Sequence, residues 1–215
     1  MCRMGSAERI ETRKKIIKAC APLLNRYGYL SVSFSELEKA SGETKTVLYG
    51  YFINKHALAM AVLDYNLEQK RNKINKMADS YPYYRDKLTA HISVYYPRKG
   101  AAFPDTNTYF FNAAVEATAL HEDMRQRVAK ALLLWKQDIV DIIRQGIATN
   151  EFKPEIQADE TAWSLISLIE SAVIISKTTQ DVTLGARLLD QAKQTIKTLV
   201  STTDCISACY LTENK

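Results

Sequence analysis

Thr44, Lys45, Thr46, Tyr49 and Tyr51 stand within one eight-residue stretch, and their side chains can all donate hydrogen bonds to anionic oxygen. The four hydroxyls can reach phosphate oxygens, and Lys45 can reach a phosphate or the edge of a guanine. Arrayed on one face of a helix, such a set is what the major groove of a duplex asks of a protein. The competing role for a tyrosine is burial as an amphipathic core residue. Leu48 and Phe52 already supply the apolar anchors of this stretch, which removes the need for both Tyr49 and Tyr51 inside.

Short-range signals show how these residues are positioned. Ser33 followed by Glu36 is a capping-box pattern that opens a helix, and Phe34, Leu37 and Ala40 give it one apolar face. Gly42 suits the left-handed backbone of a tight helix-to-helix turn. Thr44 is then an N-cap, and Val47, Leu48 and Phe52 form the buried side of a second short helix. Two short helices about a glycine turn make a helix-turn-helix. Upstream, residues 8–27 predict a helix through Ile10, Ile16, Ile17, Cys20, Ala21 and Leu24, stopped by Gly28, with Pro22 an awkward interior residue. Downstream, Asn54 caps a helix running to about Ser80 through Leu58, Ala61, Val62, Tyr65 and Ile74, with Lys55 at its start.

The run from Arg13 to Leu58 resembles the DNA-binding domain of the TetR/AcrR family of bacterial transcriptional regulators. The likeness rests on Ile17 and Ala19, on Tyr27-Gly28-Tyr29, and on Ser33-Phe34 with Leu37. It continues through Gly42 with Thr44-Lys45, Leu48-Tyr49 with Tyr51-Phe52, Lys55 and Leu58. The resemblance implies that Thr44, Lys45, Tyr49 and Tyr51 contact DNA and that Lys55 holds a phosphate; Ser33 and Thr46 complete the DNA-facing set. Three positions depart from the family pattern: Glu38 and Glu43 replace small residues, and Gly50 replaces a larger one. Glu43 suits a helix dipole but repels phosphate. These departures bear on the target sequence rather than on DNA binding itself.

Charge is segregated. Residues 1–55 carry ten Lys and Arg against five Asp and Glu, while the remainder carries 19 of each, so the whole net charge of +5 lies in the helix-turn-helix segment. That is the electrostatic footprint of a phosphate-binding module. With 47% hydrophobic and 25% charged residues the chain can bury a sizeable core. No apolar run reaches the ~20 residues of a membrane span, and the polar start lacks a secretory signal. Cys2, Cys20, Cys205 and Cys209 have neither zinc-type nor disulfide-framework spacing, which fits a reduced cytoplasm. Cys205 and Cys209, four apart, leave a minor metal or redox role open.

Beyond residue 80 the pattern stays helical: 84–96, a helix after Pro104-Asp105, 122–148, a turn at 150–154, then 159–178 and 183–200. No strand alternation or repeat is present. The expected fold is all-α, with an N-terminal helix-turn-helix three-helix DNA-binding domain over 1–54 and a helical-bundle ligand-binding and dimerisation domain over 55–215. The 159–178 helix is apolar over much of its circumference and needs cover on more than one side. The resemblance implies that the last two helices form a four-helix bundle with a second subunit, which would read a palindromic operator by its two-fold symmetry.

Asn112-x-Ala114-x-Glu116-Ala117 and Leu168-Ile169-Glu170-x-Ala172 resemble the effector domain of a family subgroup. Tyr95, Phe110, Phe111, Asn112, Glu116, Trp135, Trp163 and Glu170 are the candidate ligand residues, with plain core packing the alternative for each aromatic. Glu116 and Glu170, acids among apolar positions, require a partner: a cationic ligand or, more commonly, an Arg, Lys or backbone donor.

An enzyme is disfavoured, because there is no Gly-rich phosphate loop, no GxSxG elbow and no paired-histidine metal motif. His56, His91 and His121 are too scattered in sequence to suggest a site. The expectation is a homodimeric, cytoplasmic, ligand-responsive repressor without a cofactor. The alternatives are a helical ligand-binding protein with a degenerate helix-turn-helix, or a ligand-dependent activator.

Overall fold

The computed structural model describes residues 6–97, 112–116 and 121–201. In chain order the helices are α1 (Ser6–Ser31), α2 (Phe34–Ser41), α3 (Lys45–Tyr51), α4 (Lys55–Ala78) and α5 (Tyr84–Ser93). A helical segment at 112–116, here α6, precedes α7 (Glu122–Ala148), α8 (Ala158–Thr179) and α9 (Val182–Leu199). The fold is all-α; among the described residues the only β pairing is one isolated bridge, Phe152 with Val200.

The chain packs into two units, Met1–Lys70 with Asp105–Ala131, and Arg71–Pro104 with Leu132–Lys215. This division differs from the sequence boundary at residue 54. The reason is the size of α2 and α3, which at eight and seven residues cannot enclose a core by themselves. Ile16, Ile17, Cys20 and Leu24 of α1, Leu37 of α2, Leu48 of α3 and Phe52 are joined there by Leu58, Ala59 and Val62 of α4. A second cluster in the same unit gathers Met60, Leu63, Ala113, Met124 and Val128. Cys20 is fully buried, and burial pushes its thiol up to about 11, so it is a small core residue and not a reactive one.

Local chemistry sets the breaks. α1 passes Pro22 on its exposed side, and its interruption falls at Gly28, whose φ of 79° an L side chain rarely adopts. The capping box at α2 is complete: Ser33 Oγ accepts from the Glu36 amide at 3.3 Å, and Glu36 Oε2 accepts from the Ser33 amide at 2.7 Å. Gly42 ends α2 in the left-handed conformation, at φ 71°. Asn54 Oδ1 caps α4 by accepting from the Ala57 amide at 2.8 Å.

In the second unit, α5, α8, α9 and the latter part of α7 share a core that includes Leu88, Ile92, Tyr95, Ile139, Ile143, Phe152, Leu165, Ile169, Val173, Leu189 and Ile196. α5 ends at Ser93, short of the expected 96, and Tyr95 enters this core from the turn that follows. The N-terminus of α5 has no side-chain cap of its own. Glu151 supplies one instead, accepting from the amides of Tyr84 and Arg85 at 2.8 Å each while only 7% exposed.

Two glycines in helices test opposite outcomes of adding a methyl group. A Cβ at Gly146 would lie 2.2 Å from the Phe152 ring, whereas one at Gly50 would meet nothing within 4 Å. Gly146→Ala is expected to cost about 1–3 kcal/mol by overpacking. Gly50→Ala is expected to gain up to about 1 kcal/mol from helix propensity. Urea unfolding midpoints of the two variants check both signs.

Candidate nucleic-acid interface and ligand cluster

The turn at Gly42 presents α3 with its polar face outward. Thr44, Lys45, Thr46 and Tyr49 are exposed, while Leu48 and Phe52 are buried. Thr44 Oγ1 accepts from the Val47 amide at 3.4 Å, which leaves its hydroxyl proton free to donate outward. Tyr49 is 48% exposed, and its ring stacks on Phe34 with centroids 4.7 Å apart and planes 10° from parallel. That contact orders the side chain without burying it.

Tyr51 is half-buried against the head core. Arg9 of α1 lies over its ring, 5.6 Å from the centroid, and donates from Nη2 to the Gly50 carbonyl at 3.0 Å. The guanidinium thereby satisfies a carbonyl that the C-terminus of α3 leaves open. Arg9 is a residue that sequence reading missed. Only its charge was visible, since its partner is 41 positions away.

Ser33 and Lys55 are more committed than the sequence suggested. The Ser33 hydroxyl both donates to Glu36 Oε2 at 2.7 Å and accepts from the Glu36 amide, so its bonds serve the cap of α2. Lys55 Nζ lies 3.5 Å from the Leu30 carbonyl oxygen and 4.5 Å over the Tyr29 ring. Burial lowers its pKa, with the nearby carboxylates of Glu116 and Glu36 opposing that shift. The ammonium is therefore held in place and only partly hydrated, at the first residue of α4.

The eight ligand candidates do not form one group. Tyr95, Trp135 and Glu170 come together in the second unit: Tyr95 donates its hydroxyl to Glu170 Oε1 at 3.2 Å and stacks on Trp135, centroids 5.8 Å apart and planes 13° from parallel. Trp135 Nε1 in turn donates to His91 Nδ1 at 3.0 Å. This adds a buried histidine that the sequence did not single out. Burial lowers the pKa of His91 to about 4, against the weaker opposing pull of Asp138, so the ring is neutral at pH 7 and Nδ1 is its acceptor. Trp163 stands apart on α8, 38% exposed. Phe110 and Phe111 lie outside the described residues.

Asn112 and Glu116, also in the ligand set, belong to the first unit and are bonded there. Asn112 Nδ2 donates to the Asn25 carbonyl at 3.1 Å. Glu116 accepts from the amides of Tyr29 at 2.9 Å and Leu30 at 3.1 Å. Both N–H groups follow directly on the break at Gly28. A Cβ at Gly28 would sit 2.3 Å from Glu116 Oε1, so that position excludes a side chain sterically as well as by its φ.

Comparison with known proteins covers both units. Residues 16–62 match the sequence family described as bacterial regulatory proteins, tetR family, and residues 78–192 match the tetracyclin repressor-like C-terminal domain. A TetR-family transcriptional regulator from Cytophaga hutchinsonii is 29% identical, superposes with a TM-score of 0.84, and is matched over 94% of this chain and 100% of its own. A TetR transcriptional regulator from Chloroflexus aurantiacus is 24% identical with a TM-score of 0.81, over 90% of this chain and 98% of its own. The A-factor receptor protein of Streptomyces griseus is 30% identical over 78 residues, which is 34% of this chain but only 28% of that receptor.

Two outcomes follow from these contacts. Glu116→Gln puts an amide donor against one of the two backbone N–H groups, and is expected to cost about 1–3 kcal/mol in urea unfolding and to speed amide exchange at Tyr29 and Leu30. His91 has a folded pKa below its unfolded value, so the unfolded state binds the extra proton. Its stabilising contribution is complete above the ordinary histidine pKa of 6.5 and is lost as pH falls toward about 4. Denaturant midpoints measured across that window should fall, and should fall less in His91→Gln.

Proposed function

The chain belongs to the TetR family of bacterial transcriptional regulators, and on that premise we propose that it is a homodimeric repressor released from a palindromic operator by a small-molecule effector. The observation that carries the DNA-binding role is the capped α2–turn–α3 pair, which buries Leu37, Leu48 and Phe52 and leaves Thr44, Lys45, Thr46 and Tyr49 exposed. These residues lie in the segment that holds the net positive charge. In this reading α3 enters the major groove, Thr44 and Lys45 influence sequence choice, and Tyr49, Tyr51 and Lys55 hold phosphates. Ser33 contributes by fixing the start of α2.

Dimerisation through α8 and α9 is supported by what the single chain leaves uncovered. α8 exposes Trp163 and Ile175, at 38% and 37%, beside the small side chains of Ser164, Ser167 and Ser171. A second copy would cover that face, and its two-fold axis would present two α3 helices to adjacent major grooves.

Effector binding is assigned to the second unit, around Tyr95, Trp135, His91 and Glu170. The A-factor receptor, named as a receptor, supports ligand response in kind. This chain spans about 28% of that relative's length, so the effector's chemistry is read from the residues here: aromatic faces together with a carboxylate. No helix among the described residues is long and apolar enough to cross a membrane. A role on bacterial DNA supports a cytoplasmic location.

The test is an anisotropy titration on DNA upstream of the protein's own gene at two salt concentrations. Lys55→Ala is expected to weaken binding and to reduce the slope of log affinity against log salt by about 1. Tyr49→Phe is expected to weaken binding while the circular dichroism spectrum stays unchanged. Full affinity in both variants would remove this surface as the contact face.

A further inference from the structure

Two of the three histidines scattered through the sequence meet in the fold. His56, in the first turn of α4, and His121, immediately before α7, have ring centroids 4.5 Å apart and planes tilted by 32°. Asp123, in the first turn of α7, brings Oδ2 to 2.7 Å from His56 Nε2. One potential ligand atom from each of the three residues lies within 4.8 Å of the other two. We propose that His56, His121 and Asp123 form a binding site for a divalent transition-metal ion, with Zn2+ the ion that the donor set suits best.

Two imidazoles and one carboxylate are the donors of three-ligand zinc sites, in which water takes the fourth position. Imidazole nitrogen selects against Ca2+ and Mg2+, which take oxygen ligands. Bond lengths of about 2.0–2.2 Å put neighbouring ligand atoms about 3.3 Å apart in a tetrahedron, a spacing these side chains reach by small rotations. Asp123 Oδ1 accepts from the Met124 amide at 2.9 Å, which orients the carboxylate and leaves Oδ2 for the ion. Tyr29 packs edge-on against both rings, at 5.6 Å from His56 and 5.3 Å from His121, and limits their rotation.

A plain ion pair accounts for His56 and Asp123 but gives His121 no role. A groove of about 330 Å³ lined by Asn54, His56, Asp64, Asp123 and Arg127 gives solvent access. Arg127 within it is ion-paired with Asp64, so its charge is compensated before a cation arrives. The site stands on this geometry alone and does not depend on the operator-binding reading.

The test uses the full chain, stripped with a chelator and titrated with Zn2+ against a chromophoric competitor. One equivalent per chain is expected. His121→Ala and Asp123→Asn should each weaken it at least about tenfold, with circular dichroism unchanged. Zn2+ should raise the melting temperature of the parent protein and not of the His121→Ala variant. Co2+ should give ligand-field bands without thiolate charge-transfer absorption, and a Cys205→Ser/Cys209→Ser variant should bind as the parent does. Absence of stoichiometric binding, parent-like affinity in both site variants, or loss of binding in the cysteine variant would overturn the site.

Discussion

Where a helix breaks, two or more backbone N–H groups lose their partners, and burying them unpaired costs more than most side-chain contacts return. At Gly28 this chain meets the problem with one carboxylate, since both oxygens of Glu116 take the amides of Tyr29 and Leu30. Around that clamp sit the Tyr29 ring, the Lys55 ammonium above it, and the two histidines against its edges. The placement of Lys55 at the start of α4 therefore depends on a residue 61 positions further along the chain. Glu151 does the same for the uncapped start of α5. Glu116 and Glu151 are here the caps that the helices lack.

What was legible in the sequence was local. The capping box at Ser33, the left-handed Gly42, the Thr44 cap and the Asn54 cap all act over three or four residues, and all four are present. Helices α7, α8 and α9 likewise fall within a residue of their expected limits, because each carries a long apolar stripe. The illegible contacts are the long ones. Glu116 reaches Tyr29 across 87 residues, Arg9 reaches Gly50 across 41, and His56 reaches Asp123 across 67. No periodicity encodes such pairs. Glu116 and Asn112 entered the ligand set because an acid or amide in an apolar helix signals a partner without saying which one.

The remaining buried polar groups follow the same economy. Asn25 and Asn66 bond to each other within the first unit, at 2.6 Å from Asn66 Nδ2 to Asn25 Oδ1. His91 stays uncharged in a core that also holds Trp135 as its donor. Exposed ion pairs such as Arg71 with Asp138 add little by comparison, on the order of 0–1 kcal/mol.

The first packing unit is assembled from two stretches of chain, Met1–Lys70 and Asp105–Ala131. Any exchange of DNA-reading heads between relatives has to respect that. A graft joined after residue 54 would transplant α1 to α3 while leaving behind Leu58, Ala59 and Val62, which complete their core, and Glu116, which closes the gap at Gly28. A hybrid built on the discontinuous unit would carry its own core and its own caps with it. Recombination between such genes at the obvious boundary should therefore yield folded proteins only where the incoming and resident α4 and α6 segments are already compatible.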